Sequence, residues 1–371
     1  MSTIFYGVCG EGRGHAARVR TIVEDLRQRH EVHIFAPAMA HDMLAPYYRR
    51  TDVQVHRIPG LCFAYDRQRR VDFLKTGRQA VNYLLQLRDQ IRRVSQMIDA
   101  HQPGLVITDF EPIVSRAAEQ CGIPYISLDH QQFMLHYDLS SLPLYLRRHA
   151  FFMAKIIKLY YCKQEASIIS SFYFPPLKKQ VSGVTRIGVL LRPEILLAQI
   201  ERGDHIVAYL RRQTAPNILQ ALAECGHEVR IYGLGKLPAA GNLNFFDIDF
   251  ERFIADLATC RALVSTAGNQ LVGEALYLEK PVLALPEPNN HEQQINAHFL
   301  AQSGGGETMA MSALSSTGLR RFLARFEEGI SPQNKAQLHG NPTALRIINA
   351  HIGGRKPVHS KTLVPQLEPA Q

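Results

Sequence analysis

Two residues that follow predicted strands have side chains suited to proton transfer. His15 ends the turn GEGRGH, directly after the apolar run Ile4–Val8, and Asp109 ends the run LVITD. A histidine can accept a proton at neutral pH, and strands of a parallel sheet end at one crevice. The alternatives are a helix-start histidine that is satisfied by backbone or solvent and, for Asp109, an N-cap of the helix after Pro112.

The glycine-rich turn before His15 does not have the spacing of a dinucleotide site. Gly10, Gly12 and Gly14 give G-x-G-x-G-H, which lacks the G-x-x-G step before a helix, and no acidic residue ends the second strand at VHIFAPAM. A dinucleotide fingerprint requires both features. We therefore expect no nicotinamide cofactor.

A second group of polar residues lies at a predicted helix start after the strand Ala262–Ser265. The strand ends in STAGNQ, and a helix is expected from about Gln270. Free backbone N–H groups and the positive end of the helix dipole suit a diphosphate, and Gly268 permits close approach of the backbone. Glu274, about one turn later, could accept hydrogen bonds from two ribose hydroxyls. The alternative is an ordinary turn and helix start.

The next predicted strand, Val282–Leu285, leads to a second polar helix start. It stops at Pro286, and HEQQINA then supplies Glu292, Gln293 and Asn296. These donors and acceptors suit sugar hydroxyls, although Glu292 could simply complement the helix dipole. The order and spacing of the two groups indicate a nucleotide diphosphate followed by a sugar.

The segment TAGNQLVGEAL, KPVLALP, EQQINA and SGGG resembles the donor-binding segment of GT-B glycosyltransferases. This group contains the plant and microbial UDP-glycosyltransferases and the peptidoglycan enzyme that adds N-acetylglucosamine to a lipid-linked acceptor. Thr266 and Leu271 stand where plant members have a phosphate-binding His and a helical Ser. The resemblance implies a donor-binding set of Thr266, Gly268, Asn269, Gln270, Glu274, Glu292, Gln293 and Asn296.

The same resemblance implies roles for these residues. Gly268, Asn269 and Gln270 would lie at the diphosphate, Glu274 at the ribose, and Glu292 with Gln293 at the transferred sugar. His15 would be the general base and Asp109 would orient it, while the turn with Gly12 and Gly14 would admit the acceptor. His130, in YISLDHQQF, is a second candidate for the base.

Apolar runs alternate with helical patterns along the whole chain and predict an α/β protein. We expect two doubly wound, Rossmann-like domains that face each other across a cleft, the GT-B arrangement. The alternation is interrupted around 165–195, where Pro-Pro and Ser-Gly occur. The predicted units are an acceptor-binding domain 1–185, a nucleotide-sugar-binding domain 186–350 and a disordered tail 351–371.

Composition limits the class of protein. The 371 residues are 46% hydrophobic, and 42 Lys and Arg against 33 Asp and Glu give a formal charge of +9. This excess suits an anionic ligand or a phospholipid surface; nucleic acid is the alternative, but no nucleic-acid-binding motif occurs. The six cysteines show no C-x-x-C pair. With no signal-peptide pattern and no apolar run of roughly 18 residues, we expect a cytoplasmic protein.

The stretch 141–164 mixes Leu, Phe, Ile and Tyr with Arg147, Arg148, Lys155, Lys158 and Lys163. It suits a helix that lies on an anionic bilayer and takes a lipid-linked acceptor from it. An amphipathic helix packed on its own domain is the alternative. The basic loop YDRQRR, 65–70, could contact the same surface or an acidic acceptor.

The sequence favours transfer of a sugar from a UDP-sugar to an acceptor hydroxyl, lipid-linked or of the cell envelope, with inversion and without a metal or cofactor. The pair Asp247-x-Asp249 looks like a metal-chelating motif of another glycosyltransferase fold, but we interpret it as coincidence. Two alternatives remain. A UDP-sugar 2-epimerase would need acidic and arginine residues at HEQQINA, and a non-catalytic, membrane-associated sugar-nucleotide-binding protein would bind donor without turnover.

Overall fold

A computed structural model of the protein describes residues 1–10, 13–60, 73–160, 163–179, 181–211, 215–331 and 333–352. Within these residues the chain forms two parallel sheets, each covered by helices on both faces. The predicted fold class, two doubly wound α/β units, is confirmed. Gly12 and the basic loop 65–70 lie outside the described residues, as do 353–371 of the predicted tail.

The first sheet has seven strands within the described residues, in the order β3-β2-β1-β4-β5-β6-β7. Its strands are β1 (Thr3–Val8), β2 (Glu31–Ala36), β3 (Gln54–Arg57), β4 (Leu105–Asp109), β5 (Tyr125–Asp129), β6 (Ala166–Ser170) and β7 (Val184–Ile187). Its helices are α1 (Arg13–Leu26), α2 (Ala38–Tyr48), α3 (Phe73–His101), α4 (Pro112–Cys121), α5 (Phe133–His136) and α6 (Leu144–Tyr160). The order reverses between β1 and β4, which opens a crevice at their carboxyl ends.

The second sheet has six strands in the described part of the chain, in the order β10-β9-β8-β11-β12-β13. Its strands are β8 (Ile206–Tyr209), β9 (Val229–Tyr232), β10 (Leu243–Phe246), β11 (Ala262–Ser265), β12 (Val282–Ala284) and β13 (Gly306–Thr308). The remaining helices are α7 (Pro193–Leu196), α8 (Pro216–Ala223), α9 (Phe250–Thr259), α10 (Asn269–Tyr277), α11 (His291–Ser303), α12 (Ser316–Arg325), α13 (Lys335–Leu338) and α14 (Asn341–His351). The order reverses between β8 and β11.

The central strands are apolar because helices cover both of their faces. In β4, Leu105, Val106 and Ile107 are fully buried although their side chains point alternately to the two faces. Burial of side chains of this size contributes about 1.5–3 kcal/mol each. The apolar runs therefore determine where the strands lie. The polar residues that follow these runs lie at the carboxyl ends of the strands.

The predicted boundary at 185/186 stays a prediction, and two structural facts bear on it. β7 continues to Ile187 in the first sheet, and α14 packs back on the first unit, where Ala344 and Ile348 join its core. The backbones touch at Gly188, where an added Cβ would lie 2.1 Å from the carbonyl oxygen of Leu338. Only glycine permits that approach. The chain thus crosses between the units twice.

Candidate active site

The turn after β1 brings His15 to Asp109. Val8, the last residue of β1, is paired with Asp109 at the end of β4, and His15 follows in the first turn of α1. His15 Nδ1 lies 2.9 Å from Asp109 Oδ1. The imidazole is 12% exposed, whereas the carboxylate is fully buried. The two residues predicted to act together are therefore in contact.

Arg18 is a third member of this cluster and was not singled out in the sequence. It donates from Nε to Asp109 Oδ2 at 3.0 Å and from Nη2 to Oδ1 at 2.7 Å. Burial alone would raise the pKa of Asp109, but the charges of Arg18 and His15 and their hydrogen bonds hold it below its ordinary value. Asp109 is therefore ionised at neutral pH. The available signal was the spacing of three residues between His15 and Arg18, which places both on one face of a helix.

The contacts of His15 restrict its tautomers. Arg18 Nη2 lies 2.8 Å from His15 Nδ1, the same nitrogen that faces Asp109. Arginine only donates, so Nδ1 can either accept from Arg18 or donate to Asp109. Donation to Asp109 leaves the lone pair on Nε2, which lies 3.4 Å from Gln131 Nε2. That tautomer is the one that can act as a base from Nε2.

The N-cap of α4 is Glu111 and not Asp109. The Glu111 carboxylate accepts from the backbone N–H groups of Ile113 and Val114, both at 2.8 Å. Burial raises the pKa of Glu111 to about 7, against the lowering effect of these two hydrogen bonds. The helix-cap alternative for Asp109 is therefore wrong, because Glu111, two residues later, is the cap. The Asp109 carboxylate binds His15 and Arg18 instead.

His130 lies in the contact between the two units. Its Nδ1 is 3.0 Å from the carbonyl oxygen of Ser170, and its Nε2 is 3.1 Å from Asn296 Oδ1. Burial lowers the pKa of His130, so the ring is neutral. Asn296 also donates to the carbonyl oxygen of Ala267 at 3.0 Å. Both ring nitrogens of His130, the second candidate for the base, thus face protein atoms. Asn296, which was predicted to bind the donor, connects the two units.

The N-terminus of α10 faces the first unit. Gly268 is its N-cap, and the Asn269 side chain donates to the carbonyl oxygen of Ser170 at 3.1 Å and accepts from the Phe172 N–H at 3.3 Å. The side chain predicted for the diphosphate therefore binds the first unit. The backbone N–H groups of the first turn are what this helix end offers to an anion.

Glu274 is held by a residue of the segment between the sheets. Arg192 donates to Glu274 Oε1 from Nε at 3.0 Å and to Oε2 from Nη2 at 2.7 Å. Gln270 Nε2 donates to Glu274 Oε1 at 2.9 Å and to the carbonyl oxygen of Leu190 at 2.7 Å. Glu274 is 1% exposed. Sequence reasoning missed Arg192, because its partner is 82 residues away.

The start of α11 brings one of the predicted sugar-binding residues, Glu292, close to His15. Glu292 Oε2 lies 3.5 Å from Gln131 Nε2, the same nitrogen that faces His15. Gln293 turns away, since its Oε1 accepts from the Glu287 N–H at 2.8 Å. The N-cap of α11 is Asn290, which accepts from the Gln293 N–H.

The remaining predicted residues are placed as follows. Thr266 is 4% exposed at the end of β11. A Cβ added to Gly14 would lie 3.7 Å from the Gln270 Cβ, so the first turn of α1 faces the start of α10. Asp249 is the N-cap of α9, and Asp247 accepts from the Lys236 N–H at 3.0 Å. Each of these two aspartates thus accepts a backbone hydrogen bond.

Comparison with known proteins shows the family and the fold of the chain. The model of a family described as glycosyl transferase family 1 matches residues 2–327. No curated protein sequence matches this chain. Among solved structures, the calicheamicin glycosyltransferase CalG4 superposes with a TM-score of 0.64 at 15% identity, covering 96% of this chain and 100% of that one.

Two further structures are similar over almost their full length. MurG of Acinetobacter baumannii has a TM-score of 0.58 at 14% identity, with 95% of this chain and 99% of that chain covered. UGT89C1 of Arabidopsis thaliana in complex with UDP has a TM-score of 0.64 at 10% identity, with 95% and 100% covered. At these identities the structural likeness shows only the fold. The family match covers most of the sequence and shows the family. The chain therefore belongs to glycosyl transferase family 1 and is a glycosyltransferase enzyme with the GT-B fold.

Proposed function

We propose that this enzyme transfers a sugar from a UDP-sugar to an acceptor hydroxyl with inversion, and that His15 is the general base. The observation that carries the proposal is the position of Gln131, whose Nε2 lies 3.4 Å from His15 Nε2 and 3.5 Å from Glu292 Oε2. The proposed base and the proposed sugar-binding carboxylate are thus linked by one side chain across the cleft. A sugar held at Glu292 would present its anomeric carbon near a hydroxyl at His15.

In this mechanism His15 Nε2 takes the proton of the acceptor hydroxyl while the oxygen attacks the anomeric carbon. The bond from that carbon to the diphosphate breaks, and UDP leaves with the electron pair. One displacement inverts the anomeric centre. Asp109 accepts the Nδ1 proton and stabilises the imidazolium, and Arg18 holds the Asp109 carboxylate in place.

The donor would bind on the second unit. The first-turn N–H groups of α10 would hold the diphosphate and stabilise its growing charge, without a metal or another cofactor. The UDP complexes of UGT89C1 and LpCGTa have the same fold and support uridine diphosphate as the nucleotide part. Glu274 would accept the ribose hydroxyls in place of part of its contact with Arg192.

Two unpaired acceptors support hydroxyl ligands at this site. Within the described residues, Gln270 Oε1 and Gln131 Oε1 are buried and have no hydrogen-bond donor. Leaving a buried acceptor unpaired costs about 1–3 kcal/mol. A phosphate oxygen cannot donate to them, whereas ribose and sugar hydroxyls can. We infer that Gln270 Oε1 receives a ribose hydroxyl and Gln131 Oε1 a hydroxyl of the sugar or the acceptor.

A panel of nucleotides tests the donor assignment. At ~100 times its dissociation constant, UDP should raise the free energy of unfolding by ~2.7 kcal/mol. ADP and GDP at the same concentration should raise it much less. Stabilisation by ADP or GDP but not by UDP would contradict the proposal. With an acceptor present, UDP should be released from a UDP-sugar; conversion to an isomeric UDP-sugar without acceptor would instead indicate an epimerase.

We also propose that the acceptor is lipid-linked and is taken from an anionic membrane surface by α6. This helix buries Leu146, Ala150, Ala154 and Ile157, as the packing alternative requires. Its other side exposes large apolar side chains beside basic ones: Leu144, Tyr145, Phe151, Phe152, Leu159, Arg147, Arg148, Lys155 and Lys158. Among the described residues no helix is long and apolar enough to cross a membrane.

Vesicle binding tests the membrane contact. Replacing Arg147, Arg148, Lys155 and Lys158 together by Glu should abolish salt-sensitive binding to vesicles that contain an anionic phospholipid, since each basic residue near such a surface contributes about 1 kcal/mol. The control is the exchange of the exposed Arg320 and Arg321 of α12 for Glu, which should change binding little. Lack of vesicle binding by the unmodified protein would contradict the membrane contact and leave the transfer reaction as proposed.

A further inference from the structure

A cluster of histidines lies at the end of the first sheet that is remote from His15. Thr3 and Glu31 are paired where β1 and β2 begin, whereas Val8 and Asp109 are paired where β1 and β4 end. Beside Glu31 lie His33 of β2 and His101, the last residue of α3. The mechanism above uses none of these side chains.

His33 is the fixed member of the cluster. It is fully buried, its Nε2 lies 2.9 Å from Glu31 Oε1, and its Nδ1 lies 3.1 Å from His56 Nε2. The His101 ring stands edge-on to the His33 ring, with centroids 4.4 Å apart. One buried imidazole is thus surrounded by a carboxylate and two further imidazoles.

We propose that Glu31, His33 and His101 bind one divalent transition-metal ion of the zinc type. One ligand atom from each residue lies within 4.8 Å of the others. A tetrahedral Zn²⁺ site, with ligands at about 2.0–2.2 Å, would separate these atoms by roughly 3.3–3.6 Å. Glu31 is 38% exposed and His101 is exposed, so both side chains can rotate inward while His33 stays in place. A water molecule would fill the fourth position.

The residues around the cluster orient two of the ligands. Thr3 Oγ1 donates to Glu31 Oε2 at 3.1 Å, which turns Oε1 towards His33. His56 Nε2 can accept a hydrogen bond from the Nδ1–H of His33, which leaves the lone pair of His33 on Nε2, facing Glu31. Such outer hydrogen bonds fix the tautomer and orientation of metal ligands and are worth about 10–100-fold in metal affinity.

The apolar and electrostatic surroundings also suit a cation. The Phe5 ring covers the cluster from within the sheet, with its centroid 5.1 Å from that of His33 and 6.0 Å from that of His101. His101 stands at the carboxyl end of α3, a helix of 29 residues, where the helix dipole favours positive charge. The bound ion would join the end of α3 to β2. Its role is structural, and the metal-independent transfer proposed above does not involve it.

Metal titration of the full chain, prepared without an affinity tag, tests the site. We expect one equivalent of Zn²⁺ by calorimetry, and a visible spectrum of tetrahedral Co²⁺ when cobalt replaces zinc. His101→Ala removes an exposed ligand and should lower Zn²⁺ affinity at least tenfold while the metal-free protein keeps its Tm. His56→Asn should weaken binding less.

The matched control is His227→Ala on the second unit, where His227 Nδ1 lies 3.0 Å from Asp204 Oδ1. This change removes another surface imidazole next to a carboxylate and should leave Zn²⁺ affinity unchanged. The proposal is overturned if the protein takes up no Zn²⁺, if His101→Ala binds as tightly as the unmodified chain, or if His227→Ala loses as much affinity as His101→Ala.

Discussion

Each half of the candidate site contains an arginine that donates from Nε and Nη2 to the two oxygens of a buried carboxylate, but the third partner differs. Arg18 and Asp109 are 4% and 0% exposed, and Arg192 and Glu274 are 4% and 1% exposed. The Asp109 carboxylate also contacts His15, which can take up a proton. The Glu274 carboxylate also accepts from Gln270, an amide that cannot.

The difference supports different tasks for the two pairs in the proposed function. A carboxylate held beside an imidazole can stabilise positive charge that appears during a reaction, so we propose that the first pair serves proton transfer. A carboxylate held beside an amide offers fixed acceptors to hydroxyl groups, so we propose that the second pair serves binding. The two ion pairs should therefore resemble each other in stability measurements and differ in kinetic ones.

The largest expected effect is on stability, and it should be alike in the two halves. Arg18→Met and Arg192→Met each leave a buried carboxylate without its cation, which costs about 3–5 kcal/mol in the free energy of unfolding. Urea denaturation measures this loss. The control is Arg29→Met, because the ion pair of Arg29 with Asp25 is 65% and 41% exposed and should contribute at most about 0.5 kcal/mol. A loss of less than about 1 kcal/mol in the free energy of unfolding, for either variant, would show that the arginine is not what stabilises the buried carboxylate there.

A buried carboxyl group next to the first half of the site, that of Glu111, should make stability depend on pH. Burial raises the pKa of Glu111 to about 7 from its ordinary 4.5, so the folded state binds this proton more tightly than the unfolded state. The resulting stabilisation is fully present below about pH 4.5 and is lost as the pH rises through about 7. Glutamine does not titrate. The free energy of unfolding of the unmodified protein, relative to Glu111→Gln, should therefore fall by about 3 kcal/mol between those pH values. A difference that stays constant with pH would contradict this.

A change in the second half of the site should alter the affinity for the nucleotide. Glu274→Ala removes the proposed acceptor of the ribose hydroxyls and should weaken UDP itself about 10–100-fold, since hydrogen bonds to a charged group contribute about 1.5–3 kcal/mol. Calorimetry with UDP measures the change. Asp109→Asn is the control, because it alters a carboxylate of the other half and should leave UDP affinity unchanged. Equal UDP binding by Glu274→Ala would remove the ribose assignment.

Much of the fold was predictable because its strands are buried on both faces. Such strands read as short apolar runs, as at Leu105–Thr108, and the structure has β4 there. β6 was missed because its ASIIS stands beside Pro-Pro in a stretch that we interpreted as a boundary. α2 leaves no clear helical pattern in the sequence, because it contains Pro46, a residue that usually ends a helix.

The site was predictable only in part, because contacts between distant residues leave no local pattern. The strand ends placed His15 and Asp109 at one edge of a sheet, and they do meet. The three-residue spacing of His15 and Arg18 was the one local signal that Arg18 would bind Asp109, 91 positions away. Asn269 and Asn296 were predicted to bind the donor because amides suit sugars and phosphates, and that role stays a prediction. In the structure their side chains join the two units.

The central claim is that His15 of the first unit is the base and that the donor binds on the second unit. Measuring turnover and UDP affinity together in His15→Ala tests it most directly. Turnover should fall by roughly 10²–10⁴-fold, while UDP affinity should stay nearly unchanged. Asp109→Asn should lower turnover less, and the double variant should lose little beyond His15→Ala, because the two residues act as a unit. Full turnover in His15→Ala would contradict the claim, and a large loss in His130→Ala alongside it would move the base to His130.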